Sequence, residues 1–151
     1  MMTKEQEIAY LKEQVDFLSR NYVTGLHGRH LFMRDIRRKF ESGKLFSLSM
    51  YDVDGLHEVN RLHGYAAGDS LLREVANDLK LCDEPCDAYH IGGDEFYVIK
   101  CGIANRFECA NTTSAMVVSN NYESVDTMLD VVDKAVSELK VKTKMRRRDD
   151  I

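Results

Sequence analysis

Two short apolar runs on either side of a Gly-Gly pair constrain this chain most. Tyr89 and Ile91 precede Gly92-Gly93, and beyond the pair Phe96, Val98 and Lys100 alternate with Tyr97 and Ile99. Alternation is the period of a strand, and glycines permit a tight reversal, so Ala88 to Lys100 reads as a hairpin with Asp94-Glu95 at its tip. A strand over Leu45 to Val53 also carries acids at its end, Asp52 and Asp54, which belong at the rim of a sheet. Thr113 to Ser119 fits a further strand. Between these lie helical spacings: Leu31, Phe32, Ile36 and Phe40 until Ser42-Gly43, then Leu56, Val59 and Leu62, and, after Gly64, Leu71, Leu72, Val75, Ala76 and Leu79. Val125, Met128, Leu129, Val132, Val136 and Leu139 outline a last amphipathic helix. Strands interleaved with helices predict an α/β sandwich, a central mixed or antiparallel sheet flanked by helices.

A chain of 151 residues suits one domain, able to bury about two thirds of its unfolded surface without a staple. Cys82, Cys86, Cys101 and Cys109 have neither zinc-ribbon spacing nor the density of a disulfide framework, so they read as free thiols of a reducing cytosol. No stretch approaches the roughly 18 apolar residues of a membrane span, and the start has no apolar signal core; the expectation is a soluble, cytoplasmic protein with no membrane insertion. A formal net charge of -4 argues against a broad nucleic-acid footprint. The basic run Lys140, Lys142, Lys144 and Arg146 to Arg148 reads either as a solvated tail or as a phosphate contact.

Residues 1–20 form a separate amphipathic helix in this reading, 21–145 the domain and 146–151 a basic and acidic tail. Ile8, Leu11, Val15 and Leu18 fall at spacings of three, four and three, the seam of a coiled coil. Two heptads are marginal alone, so the helix is expected to join a partner copy in a homodimer, to pack on its own domain, or to pack on an upstream helix.

A sheet that sets the Asp52 strand beside the hairpin gathers Asp52, Asp94 and Glu95 at one edge. Carboxylates so close repel and shift each other's pKa unless a cation neutralises them, and hard oxygen ligands select Mg²⁺ or Mn²⁺ over zinc. Gly92-Gly93, lacking Cβ atoms, lets backbone come close to a phosphate, although Gly-Gly before an acid is also an ordinary hairpin.

Taken together, Tyr51-Asp52-Val53-Asp54-Gly55-Leu56, Asn60, Gly64, Gly68-Asp69 and Ile91-Gly92-Gly93-Asp94-Glu95-Phe96 resemble the GGDEF family of diguanylate cyclases. The likeness runs from about Asn21 to Lys144. It implies a palm-like nucleotidyl cyclase fold with an N-terminal helix, and condensation of two GTP into cyclic di-GMP with release of pyrophosphate across a homodimer. By position, Asp52, Asp94 and Glu95 would hold two metal ions with the Val53 carbonyl, Asp94 and Glu95 being the catalytic pair, while Asn60 and Asp69 would read guanine. Two ions about 4 Å apart suit such a displacement. An ionised Asp69 accepts from guanine N1–H and N2–H, a pair adenine does not offer. The resemblance also implies a bacterial source and cyclic di-GMP signalling.

Substrate contacts carried over are His57, Tyr65, Gly92, Gly93, Lys140 and Lys144, and several depart from the family's usual residue. His57 stands where Lys is common, Tyr65 where a His follows the Gly, His90 where an Arg precedes the Gly pair, Lys144 where an Arg is usual and Ser137 where a Tyr is. Lys is a point charge where Arg offers a planar fork, and histidines are largely neutral at pH 7. The product-inhibition motif is not found in Leu81 to Asp87, so feedback there is not expected. Between Lys100 and Thr113 the family's long helix has no room, which leaves one flank of the sheet bare in this reading. A catalytically weak or inactive module that binds GTP or a protein partner is therefore the alternative, and a related transferase making another nucleotide the third.

Overall fold

The computed structural model describes residues 1–81 and 86–149. In chain order the elements are α1 (Lys4–Leu18), α2 (Arg29–Glu41), β1 (Phe46–Val53), α3 (Leu56–His63), α4 (Tyr65–Lys80), β2 (Cys86–Gly92), β3 (Glu95–Cys101), β4 (Thr112–Val118), a 3₁₀ turn (Ser119–Asn121) and α5 (Val125–Asp149). The strands lie in the order β2-β3-β1-β4, and every pairing is antiparallel.

Strand alternation divides the core into two layers. Phe46, Leu48 and Met50 of β1, with Tyr97 and Ile99 of β3, face Phe32 and Ile36 of α2 and Met128, Val132 and Val136 of α5. Tyr51, Val53, Phe96 and Val98 point the other way, onto Leu72, Val75, Ala76 and Leu79 of α4. Each fully buried side chain of this size contributes about 1.5–3 kcal/mol over its exposed state. The same parity puts Asp52 and Glu95, opposite each other in the β1–β3 register, on the α5 side at the end of the sheet.

The flank expected to be bare is covered. Residues 102–111 run over the α4 side of β1, where Ser47 is small enough to lie beneath them: its hydroxyl donates to the Gly102 carbonyl at 2.7 Å and accepts from Ala104 N at 3.0 Å. The Tyr51 hydroxyl donates to the Phe107 carbonyl at 2.5 Å, and Cys109 and Phe107 join the α4 core. An irregular segment of ten residues thus covers the flank where a helix would need more chain.

α1 is opened by a capping box, Thr3 accepting from Gln6 N while the Gln6 side chain accepts from Thr3 N. It does not pack into its own domain: Ile8, Leu11, Val15 and Leu18 are 52%, 59%, 66% and 78% exposed, and no residue of the helix is buried. The alternative in which this seam covers the sheet is thereby corrected; α2 and α5 already fill that face. At its end Asp16 accepts from Arg20 Nε at 2.9 Å and contacts His27 Nε2 at 3.0 Å, fixing the helix to the turn that follows. Cys101 and Cys109 are free thiols, and burial pushes Cys109 up to about 11. Cys82 and most of the expected motif-free stretch after Leu81 lie outside the described residues, as does the Cys86 side chain.

Candidate active site

The end of the sheet is shaped by two reversals. β2 is irregular between His90 and Gly92, and Gly92 and Gly93 then take φ of 152° and 50°, backbone that L side chains rarely adopt. The turn they allow brings the Asp94 carbonyl to Val53 N at 2.8 Å, which locks the hairpin tip against the end of β1. Asp52, Asp94 and Glu95 consequently each offer a carboxylate oxygen within 4.8 Å of the others.

Electrostatics at this cluster follow from burial and crowding. Asp52 is pushed up to about 6, first by burial and then by the Asp94 charge, against the opposing hydrogen bond from Lys140. Glu95 is also raised, by burial and by the negative charges of Asp94 and Asp133, with Arg29 and Lys140 opposing. The Lys140 ammonium donates to Asp52 Oδ1, lies 3.3 Å from the Val53 carbonyl oxygen and 4.0 Å from Asp94 Oδ2. A positive charge is therefore already drawn to the point where these oxygens converge. Hard, anionic and partly desolvated donors of this kind fit a divalent cation such as Mg²⁺ or Mn²⁺.

Beside the acids lies an open cleft of about 410 Å³ lined by Val53, Gly55, His57, Asp94, Lys140 and Lys144, among others. Gly55 enters α3 with φ 70°, and no side chain among the described residues caps this helix, so its first-turn amides line the cleft without a side-chain partner. Asp54 also borders the cleft, but its Oδ1 accepts from the Thr113 hydroxyl at 2.7 Å and it is not one of the converging acids.

Asn60 stands about one turn beyond His57 on α3, and Asp69 on α4. A Cβ on Gly68 would come within 1.7 Å of Asn60 Oδ1, so the Asn60 amide lies directly over the Gly68 backbone, next to Asp69 in sequence. These two residues do not line the acid cleft; they share the α3–α4 corner adjoining it. Tyr65, 78% exposed at the start of α4, is outside the cleft as well.

Sequence reading assigned nothing to Thr143, which lines the cleft, or to Asp133, which acts on Glu95. Both were findable from helical spacing: Asp133 precedes Lys140 by seven residues and Thr143 follows it by three, all on one stripe of α5. Arg29, at the start of α2, carries no such signal.

Comparison with known proteins agrees with this architecture. Diguanylate cyclase VdcA of Vibrio cholerae is 34% identical over 98 residues, 62% of this chain and 29% of VdcA. Diguanylate cyclase A of Treponema denticola is 36% identical over 81 residues, 53% of this chain and 21% of that protein. The chain thus spans less than a third of these relatives' length. The coiled coil and GGDEF domain of DgcB from Caulobacter crescentus, solved in complex with c-di-GMP, superposes with a TM-score of 0.77 at 19% identity, covering 91% of this chain and 88% of that one. Residues 20–117 match the family described as diguanylate cyclase, GGDEF domain, and the chain, shortened after β3, belongs to that family.

Proposed function

We propose that this protein is a diguanylate cyclase that joins two GTP into cyclic di-GMP, releasing pyrophosphate, with Mg²⁺ or Mn²⁺ at Asp52, Asp94, Glu95 and the Val53 carbonyl. The observation that carries the reading is the convergence of three partly buried carboxylates around a lysine ammonium at the mouth of a cleft. When bound, the metal supplies charge neutralisation and activation of the attacking 3′-oxygen. The chain's own residues do the rest. The α3 amides and Gly92-Gly93 offer backbone to the phosphates, and Lys144 and His57 line their path. Lys140, which now contacts Asp52 and lies near Asp94 and the Val53 carbonyl, would offer its charge to the triphosphate if a cation were held by those oxygens. Asn60 and Asp69 read the guanine edge.

One such site holds one nucleotide, so the bond forms only where two copies face each other. The exposed α1 seam supports a parallel homodimer, in which Glu7 and Lys12, at positions flanking the apolar stripe five residues apart, pair between helices. A cytoplasmic location follows from the GTP substrate.

His57 and Lys144 in the cleft favour a second reading, a module that binds GTP and no longer turns it over. Mass spectrometry of products after incubation with GTP and Mg²⁺ or Mn²⁺ separates the two. Cyclic di-GMP from the unaltered chain, and none from Asp94→Ala, is the expected result; no product from a dimeric, GTP-binding sample would establish the module. Asp69→Ala is expected to narrow the preference for GTP over ATP.

A further inference from the structure

One buried group near the turn has no part in the scheme above. His90 is 2% exposed, its ring lies flat on Phe96 with centroids 4.3 Å apart, and both of its nitrogens are engaged. Nε2 is 2.9 Å from the Gly93 carbonyl oxygen and Nδ1 is 3.1 Å from the Thr24 hydroxyl. A carbonyl only accepts, so Nε2 carries the hydrogen. Burial holds the ring's pKa below the ordinary histidine value, which keeps it neutral and leaves Nδ1 to accept from Thr24.

Thr24 belongs to the connection between α1 and α2. That connection also meets β2 through its backbone, since His90 N donates to the His27 carbonyl at 2.9 Å. On the other side of the turn, the Asp94 carbonyl accepts from Val53 N. The Gly92-Gly93 reversal, which has no side chains to stiffen it, is thus clamped between His90 and the end of β1.

We propose that His90 is a positioning residue for the acid cluster: as the neutral Nε2–H tautomer it holds the Gly93 carbonyl, and through Thr24 it ties the Asp94 turn to the connection that follows α1. The inference rests on the reading of Asp94 as a metal-binding acid. It assigns to this histidine a role in how the acids are presented, and to Thr24 the link by which the exit of α1 bears on them. Outer partners that orient metal-binding groups typically matter about 10- to 100-fold in affinity.

The test uses the full chain and Mn²⁺ alone, titrated by electron paramagnetic resonance, with Asp94→Ala to identify the site. His90→Phe keeps the stack on Phe96 and removes both hydrogen bonds, and it is expected to weaken Mn²⁺ binding about tenfold. His90→Gln, whose amide N–H again reaches the Gly93 carbonyl, restores most of the affinity. Thr24→Val, which removes only the hydroxyl, weakens binding in the same direction. Independently of any variant's folding, the long-range ¹H–¹⁵N spectrum of the unaltered protein is expected to report the Nε2–H tautomer for His90. An Nδ1–H tautomer, or a folded His90→Phe that binds Mn²⁺ as tightly as the unaltered chain, overturns the proposal and leaves the cyclase reading standing. Unaltered Mn²⁺ binding in Thr24→Val overturns the link to α1. An unaltered chain with no Mn²⁺ site sensitive to Asp94→Ala overturns the metal reading and this inference with it.

Discussion

Gly68 is a residue at which helix propensity and the space taken by the Asn60 amide make opposite demands. Alanine is favoured over glycine inside a helix by about 1 kcal/mol, yet a Cβ here would sit 1.7 Å from Asn60 Oδ1. Only the tip of a side chain blocks the space, so Gly68→Ala costs the fold little: Asn60 swings to another rotamer. Under the proposed guanine-reading role, that swing removes a contact to the base. The expected outcome is a melting temperature within a few degrees of the unaltered protein, with GTP affinity lowered about tenfold and the weak ATP affinity unchanged, measured by calorimetric titration. Equal loss for both nucleotides would place Asn60 away from the base. The Gly-Asp pair was legible as a motif in the sequence, but its steric reason was not, because it depends on which side of α4 the α3 helix settles. Asp52, Asp94 and Glu95 were placeable in advance for the opposite reason. Strand ends and a two-residue turn leave a side chain few options, and period-two alternation fixes its face. Lys140 joins them because α5 crosses that end of the sheet, a tertiary fact that carries no local signal.

Among the elements, α1 and the segment 102–111 show what pattern alone reveals. The heptad spacing of α1 identified its apolar stripe, but the same stripe serves equally for packing on a domain, and only the filled α2–α5 face excludes that use here. For segment 102–111 length pointed to a missing helix, while Ser47 of β1, to which no part was assigned in advance, is the seat for a crossing backbone. What holds the exit of α1 is charged: Arg20 and His27 keep the exposed Asp16 carboxyl well below its ordinary 3.8, at about 2. A depressed acid contributes stability that is fully present above its unfolded value and lost as pH falls through the folded one. The contribution of Asp16 is therefore intact at pH 5 and fades from about pH 4 toward pH 2. Asp16→Asn is expected to lower the amide-exchange protection of Gly25 and Gly28 at pH 5, with the difference from the unaltered chain shrinking as the medium is acidified. A difference that grows in acid would mean that another carboxylate holds this junction.

At the scale of the whole molecule, the acid site and the α1 seam are separate surfaces, and a cyclase needs both for different reasons. The acids and the cleft belong to one copy and, under the proposed function, bind one nucleotide. In the proposed reaction, joining two nucleotides requires a second copy, and proximity of this kind is supplied by assembly and not by any further residue. Leu11→Glu with Val15→Glu tests the division of labour, because both positions are more than half exposed and contribute nothing to the core of the single chain. The fold is expected to be unharmed, with a melting temperature within about 2 °C once the dimer's own contribution is allowed for. Charges facing across a seam repel, so sedimentation should show the double variant as a monomer under conditions in which the unaltered protein is expected to be a dimer. Mn²⁺ and GTP binding per chain should not change, whereas cyclic di-GMP formation should fall at least about tenfold and recover steeply, with the square of protein concentration, as copies are forced together. A double variant that stays dimeric would move the interface to another surface of the domain. A monomer that forms product as fast as the dimer, at a rate linear in protein, would mean that one chain can hold both nucleotides.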